Sequence, residues 1–242
     1  MTLHWGDVVD GTWPAAEYKV HGPFRLRRGL GGGSRVSAAS ALAPAAIADI
    51  EEAEAAMQAM GQKRIFCLWP GDEVLDRQLA DRGYDVLDPV NIYSCPVEHL
   101  TDIPIPRVTA FAIWDLLAIM NEIWAKGGIG PDRLAVMDRA PGPKTGLLMR
   151  RADQPAGTAF VAAHDTVAMV HALEVLPSHR RHGLGRWAMR AAAFWAQEQG
   201  AETLSVICTK ANDGANGLYH ALGMEIVGEY HYRQLTQGES PT

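Results

Sequence analysis

The sequence predicts an α/β protein with a mixed α+β sheet, built as a C-terminal domain and a smaller N-terminal domain. Three observations support this fold class. Residues 167–235 alternate as strand, loop, helix, strand, helix and strand, successive strand signals precede them at 145–163, and residues 1–100 show a related order of their own. A chain of 242 residues is long enough for one large domain or two small ones.

The N-terminal domain is predicted over residues 1–102. Two alternating stretches, Phe24–Arg28 and Ser34–Ser37, predict strands on either side of the glycine-rich turn 29–33. Because this glycine run lies between strands and opens no helix, it predicts a hairpin turn and not a nucleotide-binding loop. The remaining pattern predicts a helix at 45–60, a strand at 64–69, a helix at 72–81 and a strand pair at 84–87 and 91–93.

The C-terminal domain is predicted over residues 103–242. Periodicity is lost at 96–106, where Pro104 and Pro106 are typical of an extended linker. A helix at 110–126, with apolar residues recurring on one face, opens the domain and ends at glycines. The pattern then predicts a short helix at 131–138, strands at 145–151 and 157–163, and the strand that begins at Val167.

The loop after this strand carries the candidate chemistry. Gly183 and Gly185 remove side chains where the strand passes into a helix, so the backbone N–H groups of residues 181–186 can converge on an anion at the positive end of the helix. The loop lacks the Gly-Lys-Ser/Thr ending of a P-loop and the third glycine of a Rossmann fingerprint. Arginines cluster at the same place: Arg180, Arg181, Arg186 and Arg190.

Three segments together resemble the GNAT acyltransferase superfamily. Arg180-x-x-Gly183-x-Gly185 is similar to its coenzyme A pyrophosphate loop, and Leu173–Pro177 is similar to its central strand. The run from Asn212 to Met224 is similar to its second signature, with methionine where phenylalanine is usual. The resemblance implies a GNAT fold for residues 103–242 and a degenerate GNAT-like copy, without a phosphate loop, for residues 1–102.

The resemblance also implies acetyl-CoA as cosubstrate. In the family, a bulge separates the central strand from the next parallel strand, and the pantetheine arm bonds the backbone of the central strand, here at Leu173 and Val175. Asn212 is predicted to cap the following helix, and in the family this residue also contacts the coenzyme. The positions that match the pyrophosphate loop are Arg180, Arg181, His182, Gly183, Leu184, Gly185 and Arg186.

Three residues are candidates for the proton transfers of catalysis. Tyr219 matches the family's usual general acid, and a core tyrosine is the alternative. His171 resembles the histidine on the central strand of arylalkylamine N-acetyltransferases; it is predicted to share a face with Leu173, although a structural histidine would give the same pattern. Glu174 is the rival base, which strand alternation places on the opposite face unless a bulge re-aims it.

The implied function is direct transfer of an acetyl group from acetyl-CoA to a primary amine of an unidentified small-molecule or peptide acceptor. The alternative is a non-catalytic module that binds or senses acyl-CoA. In the family the corresponding helix forms one wall of the acceptor pocket, so Trp124 is a candidate substrate contact, and core packing is its other interpretation. An acceptor pocket plugged by Trp114 or Trp124 would favour the sensor.

Composition argues against other classes of partner. The net charge of −6 argues against nucleic acid and anionic membrane, and Cys67, Cys95 and Cys208 lack the spacing of a disulfide framework or a metal site. The first residues lack a signal pattern and no apolar run is long enough for a membrane span, so we expect a cytoplasmic protein. A homodimer through the N-terminal sheet edge is a further hypothesis.

Overall fold

The computed structural model describes residues 4–236, which form two compact units. The first unit contains residues 4–14, 92–208 and 212–228. The second unit contains residues 15–91, 209–211 and 229–236. The units therefore do not follow the predicted division after residue 102, which lies inside the first unit.

The helices and strands follow one another closely along the chain. The helices are α1 (Trp5–Thr12), α2 (Ile47–Ala59), α3 (Glu73–Asp81), α4 (Ala118–Lys126), α5 (Pro131–Arg139), α6 (Leu184–Glu198) and α7 (Asp213–Ala221). The strands are β1 (Glu17–His21), β2 (Phe24–Arg28), β3 (Ala39–Ala41), β4 (Ile65–Leu68), β5 (Asp85–Pro96), β6 (Ala110–Ile113), β7 (Lys144–Arg151), β8 (Gln154–His164), β9 (Val167–Val175), β10 (Thr203–Thr209) and β11 (Glu225–Gln234).

The first unit is built on strands in the order β5-β10-β9-β8-β7-β6. The pairs from β9 to β6 are antiparallel, whereas β9 and β10 are parallel. The helix α6 packs on one face of this sheet, and α1 and α4 pack on the face that carries Phe160 and His171. Residues 156–163 of β8 are buried throughout, because helices cover both faces, and their sequence is accordingly an almost continuous apolar run.

The second unit is built on strands in the order β1-β2-β3-β4-β11. Its β3 and β4 are parallel, and the other pairs are antiparallel. Phe24, Ile50, Phe66 and Leu79 lie in its core. The strand pairs β1–β2, β2–β3 and β3–β4 are antiparallel, antiparallel and parallel, and the pairs β7–β8, β8–β9 and β9–β10 of the first unit follow the same series. Two copies of one fold would show this likeness. That residues 1–102 are a degenerate GNAT-like copy stays a prediction.

Several predicted elements differ in the structure. Residues 34–36 form a 3₁₀ turn and no strand, because positive φ angles at Leu30, Gly31 and Gly33 turn the chain and β2 pairs with β3. The predicted helix at 110–126 divides into β6 and α4, since residues 110–113 gain ladder hydrogen bonds at the edge of β7. The predicted strand pair at 84–93 is the single strand β5, and the helix α1 has no sequence prediction.

Candidate active site

A cleft opens in the first unit where two parallel strands separate. The strands β9 and β10 pair only as far as Val170 and Val206, although both continue beyond these residues. Ala172 has a positive φ of 50°, and the register between β8 and β9 shifts at this point. The structure therefore contains the bulge that the family resemblance implies, and the bulge directs the end of β9 away from β10.

The bulge places Glu174 and His171 on the same face of the sheet. Thr158 lies opposite Glu174 and Phe160 lies opposite His171. Because Thr158 and Phe160 are two residues apart in one strand, all four side chains share a face. Strand alternation alone predicts opposite faces for Glu174 and His171, and the alternative that a bulge re-aims Glu174 is the one that the structure has. The predicted common face for His171 and Leu173 is wrong, because Leu173 packs against the core on the α6 side.

The loop before α6 forms one wall of the cleft. Gly183 is the N-cap of α6 with a φ of 78°, and no described side chain caps the helix. The hydrogen bonds of the helix begin with Trp187 N–H to the Gly183 carbonyl, so the N–H groups of the first turn can bind a ligand. A Cβ atom at Gly185 would approach Leu218 Cδ2 to 2.8 Å, so glycine permits the close packing of α6 on α7.

The cleft has a volume of about 660 Å³. Most of the predicted coenzyme-binding residues line it together with Glu174, namely Leu173, Val175, Arg180, Arg181, Gly183, Leu184, Gly185, Arg186 and Asn212. The residues that line it do not include His182, His171 or Tyr219.

The arginine predicted furthest along α6 does not belong to the cleft. Arg190 is buried, donates from Nη1 to the Leu100 carbonyl at 3.2 Å and pairs with Asp102. Residues 97–99 cover this turn of α6. The predicted linker is therefore partly packed in the core, and the cationic cluster of the cleft is smaller than the sequence indicates.

The helix α7 forms the opposite wall of the cleft. Its predicted cap is confirmed, because Asn212 Oδ1 accepts the N–H of Ala215 at 3.1 Å. Tyr219 is only 4% exposed, and its ring centroid lies 5.2 Å from that of Tyr93. Burial, followed by the neighbouring Cys208 and Tyr93, raises the pKa of Tyr219 well above its usual value, so its phenol stays protonated at neutral pH.

His171 lies in a buried pocket beneath α1. Its Nε2 is 2.9 Å from Thr12 Oγ1, and that hydroxyl donates its one proton to the Val8 carbonyl at 2.7 Å. The Nε2 atom must therefore donate to Thr12, and it cannot at the same time accept a proton from a substrate. The imidazole also lies 4.9 Å from the Trp13 ring and 6.2 Å from the Phe160 ring, measured between centroids.

Glu174 is the candidate base that reaches the cleft. Its carboxylate, 19% exposed, accepts a hydrogen bond from Arg180 Nη2 at 2.9 Å. Arg180 also donates from Nε to the Val175 carbonyl at 2.9 Å. A Cβ atom at Gly127 would lie 2.7 Å from the Glu174 carboxyl carbon, so only glycine at the end of α4 leaves room for this side-chain position.

Trp124 is a core residue in the structure. It is fully buried, and its indole N–H donates to the Ala172 carbonyl at 2.8 Å. The tryptophan thus ties α4 to the bulge of β9. Sequence patterns do not indicate this contact. They do not indicate the contacts of Thr12 and Trp13 with His171 either, because all of these contacts join segments that lie far apart in the chain.

The described residues show neither a metal site nor a membrane span. They contain no group of three or more His, Cys, Asp or Glu side chains that could hold a metal ion. Every helix in this part of the chain is too short or too polar to span a bilayer. The three cysteines are buried and form no disulfide, and burial raises the pKa of the Cys208 thiol to about 11.

Comparison with known sequences gives one family. The sequence model described as "Acetyltransferase (GNAT) family" matches residues 114–224. The chain is also 25% identical over 235 residues to the uncharacterized N-acetyltransferase YobR of Bacillus subtilis (strain 168). That alignment covers 93% of this chain and 95% of YobR.

Comparison with solved structures gives the same fold. A GCN5-related N-acetyltransferase from Kribbella flavida has a TM-score of 0.75 at 23% identity, covering 97% of this chain and 95% of the other. A conserved protein of unknown function from Staphylococcus epidermidis ATCC 12228 has a TM-score of 0.69 at 12% identity, covering 96% and 97%. The mixed α/β architecture of this chain is therefore shared along nearly its whole length.

Proposed function

Because residues 114–224 form an acetyltransferase domain of the GNAT family, we propose that this protein is an N-acyltransferase that moves an acetyl group from acetyl-CoA to a primary amine. The acceptor is a small-molecule or peptide amine. The observation that carries the proposal is the cleft at the end of β9, beyond the point where β9 and β10 stop pairing, which is lined by the N-terminus of α6 and by α7.

The residues of the cleft fit acetyl-CoA. The positive end of α6 and three arginines, Arg180, Arg181 and Arg186, face the same space, which suits a pyrophosphate. A cleft of about 660 Å³ lies within the usual range for small-molecule sites. The coenzyme supplies the acyl group as a thioester, and the protein holds that thioester and moves protons beside it.

Acyl transfer to an amine requires two proton movements. Glu174 lines the cleft and is the proposed base, which accepts the proton that the neutral amine nitrogen loses after it attacks the thioester carbonyl, as a C–N bond replaces the C–S bond. Tyr219 is the proposed acid, which returns a proton to the leaving sulfur, and its buried phenol is protonated as this role requires. His171 remains a second candidate for relaying the proton, through a nitrogen other than the one facing Thr12.

A calorimetric titration tests the coenzyme site. We expect acetyl-CoA and its unreactive analogue desulfo-CoA to bind the wild type, and Gly183→Glu to weaken binding roughly tenfold or more, because a carboxylate enters the anion site. A Cβ atom at Gly183 meets no atom within 4 Å, so the added side chain has room, but the φ of 78° strains any side chain at this position. Gly183→Gln is the matched control, since glutamine has the size of glutamate, bears the same backbone strain and carries no charge. Absence of binding to the wild type would overturn the proposal.

A non-catalytic acyl-CoA sensor is the second candidate function. The burial of Tyr219 and the pairing of His171 with Thr12 favour it, since neither side chain lines the cleft. A thiol-release assay over a panel of primary amines separates the two functions. An enzyme should release coenzyme A with at least one amine, and Glu174→Gln should lower that rate roughly 100-fold or more. A sensor should bind acetyl-CoA and turn over with none.

A further inference from the structure

We propose that Thr158 is a positioning residue for Glu174. When Arg180 leaves the Glu174 carboxylate to bind the pyrophosphate, the Thr158 hydroxyl donates a hydrogen bond to that carboxylate in its place. This inference rests on the proposed function. It assigns a role to a side chain that the sequence patterns and the family signatures leave unmarked.

The first observation is an unsatisfied buried hydroxyl. Thr158 is 0% exposed, and its Oγ1 has no hydrogen-bond partner among the described residues. Buried hydroxyls in proteins are nearly always hydrogen-bonded, so one without a partner calls for an explanation. Valine has almost the same shape and would avoid the problem, yet the chain carries threonine here.

The second observation is the position of this hydroxyl. Thr158 lies directly opposite Glu174 across the β8–β9 ladder. Opposite residues of antiparallel strands point to the same face with Cβ atoms about 4.5–5.5 Å apart, which a glutamate side chain can span. The pairing exists only because of the bulge at Ala172, which brings Glu174 to this face.

The third observation is that the present partner of Glu174 is also a candidate ligand of the coenzyme. Arg180 is 55% exposed on the loop that lines the cleft, so it can move to a phosphate. Glu174 then loses its donor inside a confined site. The neighbouring Trp124 indole N–H is already bound to the Ala172 carbonyl, whereas Thr158 has one proton to donate. A hydroxyl bonded to a carboxylate is a short, strong hydrogen bond that would fix the base towards the amine.

Kinetics of three variants test this role with an amine that the wild type acetylates. Thr158→Val keeps the shape and removes the proton, so we expect kcat to fall roughly tenfold or more, with little change in acetyl-CoA affinity and a melting temperature that is unchanged or higher. Thr158→Ser should restore kcat to near the wild-type value. In a Glu174→Gln background, Thr158→Val should cause little further loss, since the two residues act together. Full activity of Thr158→Val, or a Thr158→Ser variant as impaired as the valine variant, would contradict the role.

A crystal structure of the wild type with desulfo-CoA gives a readout that needs no acceptor. We expect Thr158 Oγ1 at about 2.5–3.0 Å from a Glu174 carboxylate oxygen, and Arg180 against the pyrophosphate. A complex in which the coenzyme is bound but Glu174 still pairs with Arg180 would overturn the inference while leaving the proposed function intact. Failure of the coenzyme to bind would instead count against the proposed function.

Discussion

At the scale of single residues, the absence of one side chain sets the position of the candidate base. Gly127 follows α4 with a φ of −87°, a value that any residue adopts, so its backbone does not require glycine. Glycine is required instead because this position closely approaches the Glu174 carboxyl group. We expect Gly127→Ala to displace the carboxylate and to lower kcat roughly tenfold or more while stability changes little, as measured by thiol release and urea unfolding.

The next residue provides the matched control. Gly128 has a φ of 78°, but a Cβ atom there meets nothing within 4 Å. Gly128→Ala should therefore cost about 1 kcal/mol of stability through backbone strain and leave kcat nearly unchanged. Equal effects of the two substitutions on kcat would show that the turn as a whole matters, and that its contact with Glu174 does not.

At the scale of elements, one carboxylate joins α3 to β11 in the second unit. Asp76 accepts hydrogen bonds from Arg233 Nε at 2.7 Å and from His231 Nε2 at 3.0 Å. Burial acts to raise the pKa of Asp76, but the hydrogen bonds and charges of Arg233 and His231 outweigh it, so that the pKa is lowered. A lowered pKa stabilises the fold above the unfolded value of about 3.9, and this contribution is lost as the pH falls through the folded value.

Asp76→Asn should therefore lower the free energy of unfolding at pH 7. The difference in this free energy between the variant and the wild type should become smaller as the pH falls from about 5 towards 3. Urea unfolding at several pH values measures both quantities. Asp153→Asn is a suitable control, because that side chain is 92% exposed. A difference that stays constant with pH would show that the ion pair does not link α3 to β11 in solution.

Elements with a strong local pattern could be predicted from the sequence. The helices α2, α3 and α5 lie within a few residues of their predicted bounds, since apolar spacing and glycine stops act locally. Pairing with a distant strand decides other segments. Residues 110–113 have a helical pattern and still form β6, because β7 offers them an edge.

The same distinction applies to the candidate site. Gly183 and Asn212 could be assigned because a left-handed N-cap and a helix cap demand particular residue types. The face of the sheet on which Glu174 lies could not be predicted, because an alanine at position 172 does not indicate a bulge. The surroundings of His171 could not be predicted either, since Thr12, which contacts its imidazole, lies 159 residues away in the chain.

At the scale of the whole molecule, the two units divide the chain differently from the predicted domains. Residues 231–234 of β11 pair with β4, and Arg233 also binds Asp76, so the second unit needs a strand from far along the chain. We expect a fragment of residues 1–102 to lack a cooperative unfolding transition, in contrast to the full chain, when circular dichroism is followed in urea. A sharp transition with a normal slope would show that the fragment folds alone.

This chain path has a consequence for synthesis on the ribosome. Residues 15–91 are made long before the residues of β11 that pair with β4, which are 231–234. At about 5–20 residues per second, the nascent chain waits on the order of ten seconds with Phe66 and its neighbours beside an open strand edge. Such an edge pairs readily with other chains. We therefore expect residues 15–91 to be prone to pairing with other chains until residues 231–234 have been synthesised.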